Sequence, residues 1–448
     1  MDTYPSYKDS GVEWIGDIPS GWDLVKVKNL FTFSKGSGIS KKDIEKEGSS
    51  NCILYGELFT RFKNFNVIPD DFSKTNLKDK IVSNGNELLI PGSTTTTSVD
   101  LCNCKTLKHS GVQLGGDIII LKPRKSDIKN EFYSYYITTV TKPDFEMNGR
   151  GVTIHHIYPK QIREIYTPVP PLHEQQQISD YLDHKTLNID TLIKKTEQKI
   201  ELLKEQRISL ISTTVTKGLN SNVEMKDSGV EWIGEIPSGW SLSKIKYLPN
   251  EEKNSFTDGD WIESKDLSDS GIRYITSGNI GSGNYKEQGS GYITEETFNK
   301  LKCTELFPGD LVMSRLFLPV GRSCILPNLN NRVITAVDNV ILRPKECYSK
   351  FFLNFFFNSF YYSEHSKLIS RGVTLTRISR GMLGNVHVVV PPLQEQQQIV
   401  DYLDKETSRI DKLVDIESKR IVLLKEYRQS LISEVVTGKV DVRDEVLV

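Results

Sequence analysis

The side chains best suited to chemistry in this 448-residue chain sit in short loops. Pro91-Gly92-Ser93-Thr94-Thr95-Thr96-Thr97 follows an apolar run and offers a row of hydroxyls. Arg150, Thr153, His155 and His156 follow a glycine turn, and Lys35 stands beside Gly36. Farther along, SRLFLPVGR carries Arg315 and Arg322, RGVTLTRISR carries Arg371, Thr374, Arg377 and Arg380, and TSGNI carries Asn279. Hydroxyl and cationic groups donate to phosphate oxygens, a forked guanidinium fits guanine and a primary amide fits adenine. As groups these loops suit contact with a DNA duplex; for any one residue, a solvated surface position is an equal reading.

The same search finds no bond-breaking machinery. Adenine methyl transfer needs a cofactor-binding glycine motif and a D/N-P-P-Y/F/W motif to hold the flipped base. VPPLH and VPPLQ have the prolines without the acid, amide or aromatic, so they read as helix starts. Neither G-x-x-x-x-G-K-[ST] nor H-E-x-x-H occurs. The pair His155-His156 is placed in a loop, as a contact or solvated group rather than a metal site. Pro143-Asp144-Phe145-Glu146 lacks the lysine of a nuclease cluster. The six cysteines are scattered, with one C-x-C and no second pair at zinc spacing, and are expected as buried free thiols. The expectation is a non-enzyme with no metal and no cofactor of its own.

Composition narrows the class. Hydrophobic residues are 37% and charged residues 26%, the balance of a folded water-soluble chain. Neither a signal-like start nor an eighteen-residue apolar run appears, so a cytoplasmic, non-membrane protein is expected. The net charge of -1 means that binding to nucleic acid must rely on local basic patches or on a partner's charge.

The chain is one unit written twice. KDSGVEWIGDIPSGW at Lys8–Trp22 returns at Lys226–Trp240 with Asp17 changed to Glu235. PPLHEQQQISDYLDHKT at Pro170–Thr186 returns as PPLQEQQQIVDYLDKET at Pro391–Thr407, and GRGVTI at Gly149–Ile154 is echoed by SRGVTL at Ser370–Leu375. The two halves must share a fold. Each has a mixed, β-rich part, with strand-like runs at Ile118–Leu121, Val340–Leu342 and Val386–Val390. One aromatic-rich helix is expected in each, over Glu131–Thr139 and Phe351–Tyr362.

Each β-rich part ends in a double proline that can open a helix but not lie within one. Leu172–Thr216 and Leu393–Thr437 are free of proline and glycine, and Gly218 and Gly438 close them. Such a helix is roughly 65 Å long at 1.5 Å per residue, a spacer's length. Leu182, Ile189, Leu203 and Leu210 keep a seven-residue register, widened by Ile178, Leu192, Ile193 and Ile200; Leu403, Ile410, Leu424 and Leu431 repeat it. The skipped positions are polar, Thr196 and Glu417. Two matching stripes in one chain predict that the helices pack on each other, antiparallel if the halves obey a pseudo-two-fold axis; a coiled coil serving only to dimerise leaves the repeated β-rich parts unexplained. Because KDSGVEWIG follows the first helix yet also opens the chain, the N-terminus is expected beside the end of the second helix. The fold class expected is α+β: two pseudo-repeated β-rich domains, 1–168 and 220–389, separated by two long antiparallel coiled-coil helices, 169–219 and 390–448.

The paired motifs GVEWIG-x-IPSGW, P-P-L-x-E-Q-Q-Q-I and R-G-V-T, with this layout, resemble the specificity subunits of type I restriction–modification systems over essentially the whole chain. The resemblance implies two target-recognition domains, each reading half of an interrupted double-stranded DNA site. It also implies two modification (methyltransferase) subunits that carry S-adenosylmethionine and methylate adenine, and restriction subunits that use ATP and Mg. Because the shared segments are nearly identical while the domain interiors diverge, an asymmetric, non-palindromic target is expected. Arg150 and Arg371 occur in both copies and suit the phosphate frame, whereas Arg315 and Arg377 suit base reading. Docking of partner subunits is expected at Trp14, Ile15, Trp232, Ile233, Gln175, Gln176, Gln396 and Gln397, with domain core the equal alternative for the tryptophans. A duplicated protein- or sugar-binding module on a coiled-coil stalk is the rival reading.

Overall fold

The computed structural model describes residues 3–63, 66–78, 81–288, 291–372 and 375–445. By internal contacts the chain divides into two compact units, Met1–Thr196 with Lys419–Val448, and Glu197–Ser418. The division falls inside both long helices, so each unit owns one β-rich region and part of each helix.

In the first unit, an antiparallel four-stranded sheet runs in the order Lys105–Leu107, Glu87–Pro91, Ile118–Pro123, Phe31–Lys35. Its strands are continuous apolar runs, such as the fully buried Leu88, Leu89, Ile90 and Ile118–Leu121, because both faces are covered. A second four-stranded sheet, Ser73–Thr75, Ser50–Ile53, Ser110–Leu114, Val82–Asn84, covers one face with a smaller core around Phe62, Leu89, Ile118 and Ile120. The aromatic helix Asn130–Thr139 covers the other and buries Phe132, Tyr133 and Tyr136.

The second unit repeats the plan: Ser323–Ile325, Leu311–Ser314, Asn339–Leu342, Phe256–Asp258 form the sheet. A three-stranded sheet, Gly291–Ile293, Ile272–Ile275, Val333–Thr335, replaces the four-stranded one. The expected single helix over Phe351–Tyr362 is instead two, Lys350–Phe357 and Phe360–Ile369. The break falls at Asn358 and Ser359: Asn358 ends the first helix, and the Ser359 N–H and hydroxyl both donate to the Phe356 carbonyl, at 3.1 and 2.7 Å. The strands expected at Ile118, Val340 and Val386 are present.

The long helices span Leu172–Lys217, 46 residues, and Leu393–Val436, 44 residues. They run antiparallel. In the first unit Ile178, Leu182, Ile189 and Ile193 share a core with Leu431, Ile432 and Val435, and Arg428 bridges Asp190 at 3.0 Å. In the second unit Arg207 meets Asp411 at 2.9 Å and Lys199 meets Glu417 at 2.5 Å. Thr196 and Glu417 are buried, so the polar skips in the heptad lie in the seam. A buried polar group there opposes sliding of the helices, since a shifted register would strand it.

The helix entries explain their repeated motif. Gln175 is buried: its amide donates to the Pro170 and Asp127 carbonyls and accepts from the Lys129 N–H, 2.8 Å. Gln396 does the same with Pro391, Cys347 and Ser349. One residue earlier, Glu174 accepts from the Trp22 indole at 2.9 Å, and Glu395 accepts from Trp240 at the same distance. Trp22 lies against Gly438, and Tyr7 donates to the Gly438 carbonyl at 3.1 Å. The N-terminal segment therefore sits at the end of the second long helix, as the repeat predicts.

Candidate nucleic-acid interface

In the first unit, Ser93–Thr94 pairs as a two-residue strand with His155–His156, joining two loops that are far apart in sequence. The histidines thus lie on a short strand rather than in a loop. Arg150 bridges His156 through its backbone, closing a tight loop whose tip, Val152, Thr153 and Ile154, is exposed. Gly151 takes φ +121, and a Cβ there would strike the Ile154 carbonyl oxygen; only glycine closes this turn without strain. His156 stacks on Tyr158 at 6.4 Å between centroids, and the Lys35 ammonium lies over the same Tyr158 ring at 5.2 Å. Lys35, Tyr158, His156, Arg150 and Thr153 form one edge.

The hydroxyl row is less free than its composition implies. Ser93 and Thr94 are buried, and Ser93 donates to Asp117 at 2.8 Å. Thr96 and Thr97 donate to Asp100, at 2.5 and 2.9 Å. Burial pushes the Asp100 carboxyl up, but these hydrogen bonds outweigh it and hold the group below its ordinary value. Ser93 and Thr94 are withdrawn as direct contacts, because their hydroxyls build the loop; Thr95 stays exposed at the tip.

The second unit builds its edge on the same backbone frame. Arg371 and Arg377 bridge as Arg150 and His156 do, and Gly372 takes φ +98. The Arg315 N–H bonds the Asp338 carbonyl at 2.7 Å and its carbonyl accepts from Ile378, as Gly92 does with Asp117 and Ile157. By this pairing Arg315 occupies the place of Gly92, Phe317 that of Thr94, Leu318 that of Thr95, and Arg377 that of His156. Register in the sheet likewise matches Asp258, opposite Val340, with Lys35, opposite Ile119. Two carboxylates organise the arginines: Arg377 meets Asp338 at 2.8 Å, Arg380 meets Asp258 at 3.6 Å, and Arg315 meets Asp258 at 3.0 Å. Arg377 and Arg380 remain 49% and 43% exposed. The acids were not singled out from the sequence; Asp258 closes one strand and Asp338 precedes another, and they are brought together only once the strands pair.

The structure uses three of the expected DNA-contact residues inside their own loops. Arg315 is 5% exposed and gives its guanidinium to the Ile378 and Val337 carbonyls; burial lowers its pKa. Arg322 spends its guanidinium on the carbonyls of Ser277, Ile280, Leu316, Phe317 and Pro319, a staple for the loop that precedes it. Asn279 is wholly buried, and its amide bonds Thr276, Lys286 and Gln288. In each, the polar groups suited to a base edge are already bonded to the residue's own loops. Thr374 lies outside the described residues.

A family model described as the type I restriction modification DNA specificity domain matches the chain twice, over residues 19–202 and 238–426. The chain belongs to that specificity family. It is 24% identical over 433 residues to the type I restriction enzyme MjaVIII specificity subunit of Methanocaldococcus jannaschii, covering 95% of each chain. To the EcoBI specificity subunit of Escherichia coli it is 21% identical over 324 residues, 70% of this chain and 67% of that one. Among solved structures, a chain from work on complex assembly and conformational transition of the type I R-M system superposes with TM-score 0.72 at 15% identity, covering 94% of this chain and 99% of its own length. The HsdS subunit from Thermoanaerobacter tengcongensis gives TM-score 0.59 at 14% identity, with 94% and 98% covered. These likenesses show a shared fold.

As a specificity subunit by family, the chain is a recognition component rather than a catalyst. Among the described residues, no group of three or more histidine, cysteine or acidic side chains is placed to hold a metal ion, and no helix is long and apolar enough to cross a membrane. Five cysteines are buried, with Cys102 and Cys324 both pushed up by burial to about 12, while Cys347 is exposed, against expectation.

The expected docking residues of this specificity subunit divide sharply. Ile15 and Ile233 are buried core, and Gln175 and Gln396 are used up inside the helix entries, so these four are withdrawn as docking residues. Trp14 is half-buried and donates to Asp144 at 3.0 Å, whose carboxyl burial pushes up to about 6. Trp232, also half-buried, stacks on His365 at 4.6 Å. Gln176 and Gln397 lie nearer the surface, bonded only one turn ahead to Asp180 and Asp401.

Proposed function

We propose that this specificity subunit reads an interrupted, asymmetric double-stranded DNA target, one half-site with each β-rich domain, and thereby directs adenine methylation by two methyltransferase subunits. The observation that supports this is the pair of edges on one backbone frame: Lys35, Thr95, Arg150, Thr153, His155 and His156 in the first unit, Arg371, Arg377 and Arg380 in the second. A common frame suits a common DNA backbone, and different side chains on it suit different bases. Arg150 and Arg371, shared by both edges, contact phosphates. Arg377 and Arg380, held by Asp338 and Asp258, present guanidinium forks to base edges.

The methyltransferase subunits bring S-adenosylmethionine, and restriction subunits bring ATP and Mg; this chain adds no cofactor. Gln176, Gln397 and the outer faces of Trp14 and Trp232 belong to the docking surface. The complex works in the cytoplasm, where it meets duplex DNA. With a net charge of -1, the chain depends on its partners for much of the non-specific, salt-sensitive attraction to DNA. The test is to express the chain with its neighbouring methyltransferase subunit in a methylation-free host and map modified adenines, with and without this chain. A split, non-palindromic motif that appears only with the chain supports the reading. Co-purification without any motif favours a scaffold.

A further inference from the structure

The loop from Leu316 to Gly321 is rigid yet apolar at its tip. Phe317 and Leu318 are 48% and 52% exposed, although apolar side chains of this size gain by burial. Everything around them is fixed. Val320 is buried in the core, Tyr362 bonds the Gly321 carbonyl, and the Arg322 guanidinium clamps the carbonyls of Leu316, Phe317 and Pro319. Phe317 itself sits at φ +58, a left-handed backbone that is unfavourable for a bulky residue and persists only where its surroundings impose it. Its N–H bonds the Thr376 carbonyl at 2.9 Å, which sets the tip directly beside Arg377. The first unit has Thr94 and Thr95 at these positions.

We propose that Phe317 and Leu318 form a preformed wedge that enters between two base pairs of the second half-site, flanked by Arg377. The proposal rests on the DNA-reading function above. An exposed apolar pair next to a guanidinium edge suits a surface that is anionic at its rim and apolar in its stack, which is a duplex. Apolar side chains held on such a tip unstack one step and kink the helix, and because the cost of unstacking depends on the step, the wedge adds sequence preference where no hydrogen bond is made. A rigid loop suits this role, since no ordering cost is left to meet on binding. The first domain, tipped by threonine, leaves its half-site stacked.

The test uses the full chain co-purified with its methyltransferase subunit and duplexes of the mapped target. 2-Aminopurine, which brightens when unstacked, replaces one base at a time, omitting the methylated adenine. The expected result is a several-fold rise at one step of the second half-site with the native chain and none in the first. The rise should vanish in F317S/L318S, with affinity lower by about tenfold, and return in F317L/L318M. Thermal unfolding of F317S/L318S should match the native chain, since both side chains are exposed. Equal signals from native and F317S/L318S complexes that bind normally overturn the wedge alone. Loss of methyltransferase co-purification in F317S/L318S also overturns it, by making the tip a protein contact. Failure of the native complex to prefer the target over scrambled duplex overturns the wedge together with the reading on which it rests.

Discussion

The two β-rich units solve one problem with opposite materials. At corresponding places the first has Lys35, Gly92, Thr94 and His156, and the second has Asp258, Arg315, Phe317 and Arg377. The first edge is small, hydroxylic and aromatic, with a lysine resting on Tyr158. The second is an acid–arginine lattice around an apolar tip. The backbone hydrogen bonds hardly differ, so the frame tolerates an exchange of charge sign at one position provided a neighbour compensates. Divergence here is therefore coordinated within an edge: Asp258 makes sense only with Arg315 and Arg380.

The largest effect that would sharpen this contrast is expected from Arg315→Ala. It leaves Asp258 without its main partner and two carbonyls unsatisfied, at a cost of roughly 3–4 kcal/mol to the second unit. Thermal unfolding with limited proteolysis should place that loss within Glu197–Ser418 and leave the first unit intact. A variant of native stability that merely relaxes DNA preference would restore Arg315 as a base reader.

A second contrast lies beneath the edges. The buried Lys105, opposite Leu89, matches the buried Cys324, opposite Val312. Burial lowers the Lys105 pKa from 10.5 to about 8, and its ammonium finds one carbonyl, that of Lys63, at 3.0 Å. Between about pH 8 and 10.5 the unfolded chain holds the proton that the folded chain has lost, so the lysine makes stability rise with pH in that window. Lys105→Met should stabilise the first unit on the order of 2–3 kcal/mol at neutral pH and remove its share of that rise, as read by denaturant titration at a series of pH values. An unchanged pH profile would mean the ammonium is better solvated than its burial implies.

Smaller effects test the shared frame. Gly151→Ala and Gly372→Ala should each cost about 1–3 kcal/mol of binding at one half-site only, measured on duplexes with one half-site scrambled. If both weaken both half-sites, the edges are not independent. Arg371→Ala should weaken binding across sequences, whereas Arg377→Ala should relax preference at one position of one half-site by about 1–3 kcal/mol. Smallest of all, Gln176→Ala should leave stability within about 0.5 kcal/mol, while Gln175→Ala, which strips the helix entry, should cost several times more.

Much of this architecture was legible from residue order. Period and motif identity predicted the duplicated fold, the double prolines and closing glycines bounded both long helices within a residue or so, and the repeated KDSGVEWIG placed the N-terminus at the second helix end. Five of the residues read differently in the structure share a cause. Gln175, Gln396, Arg315, Arg322 and Asn279 are polar side chains that satisfy backbone carbonyls, some nearby and some in distant loops, and carbonyls carry no residue-type signature. A repeated polar motif therefore looks the same from sequence whether it faces a partner or its own main chain. The apolar tip at Phe317 was hidden for the converse reason, since apolar residues are read as core until their exposure is seen.

The bond from Tyr7 to the Gly438 carbonyl joins residues 431 apart, whereas the second unit draws on a single continuous stretch, Glu197–Ser418. During synthesis the region made first must therefore wait, with its core cluster missing Leu431, Ile432 and Val435, while the region made second has every residue it needs. The second unit can therefore complete its core cluster before the first can. Until Leu431, Ile432 and Val435 are made, that core cluster is incomplete and leaves apolar surface open to a chaperone or to an unfinished neighbour on the same messenger.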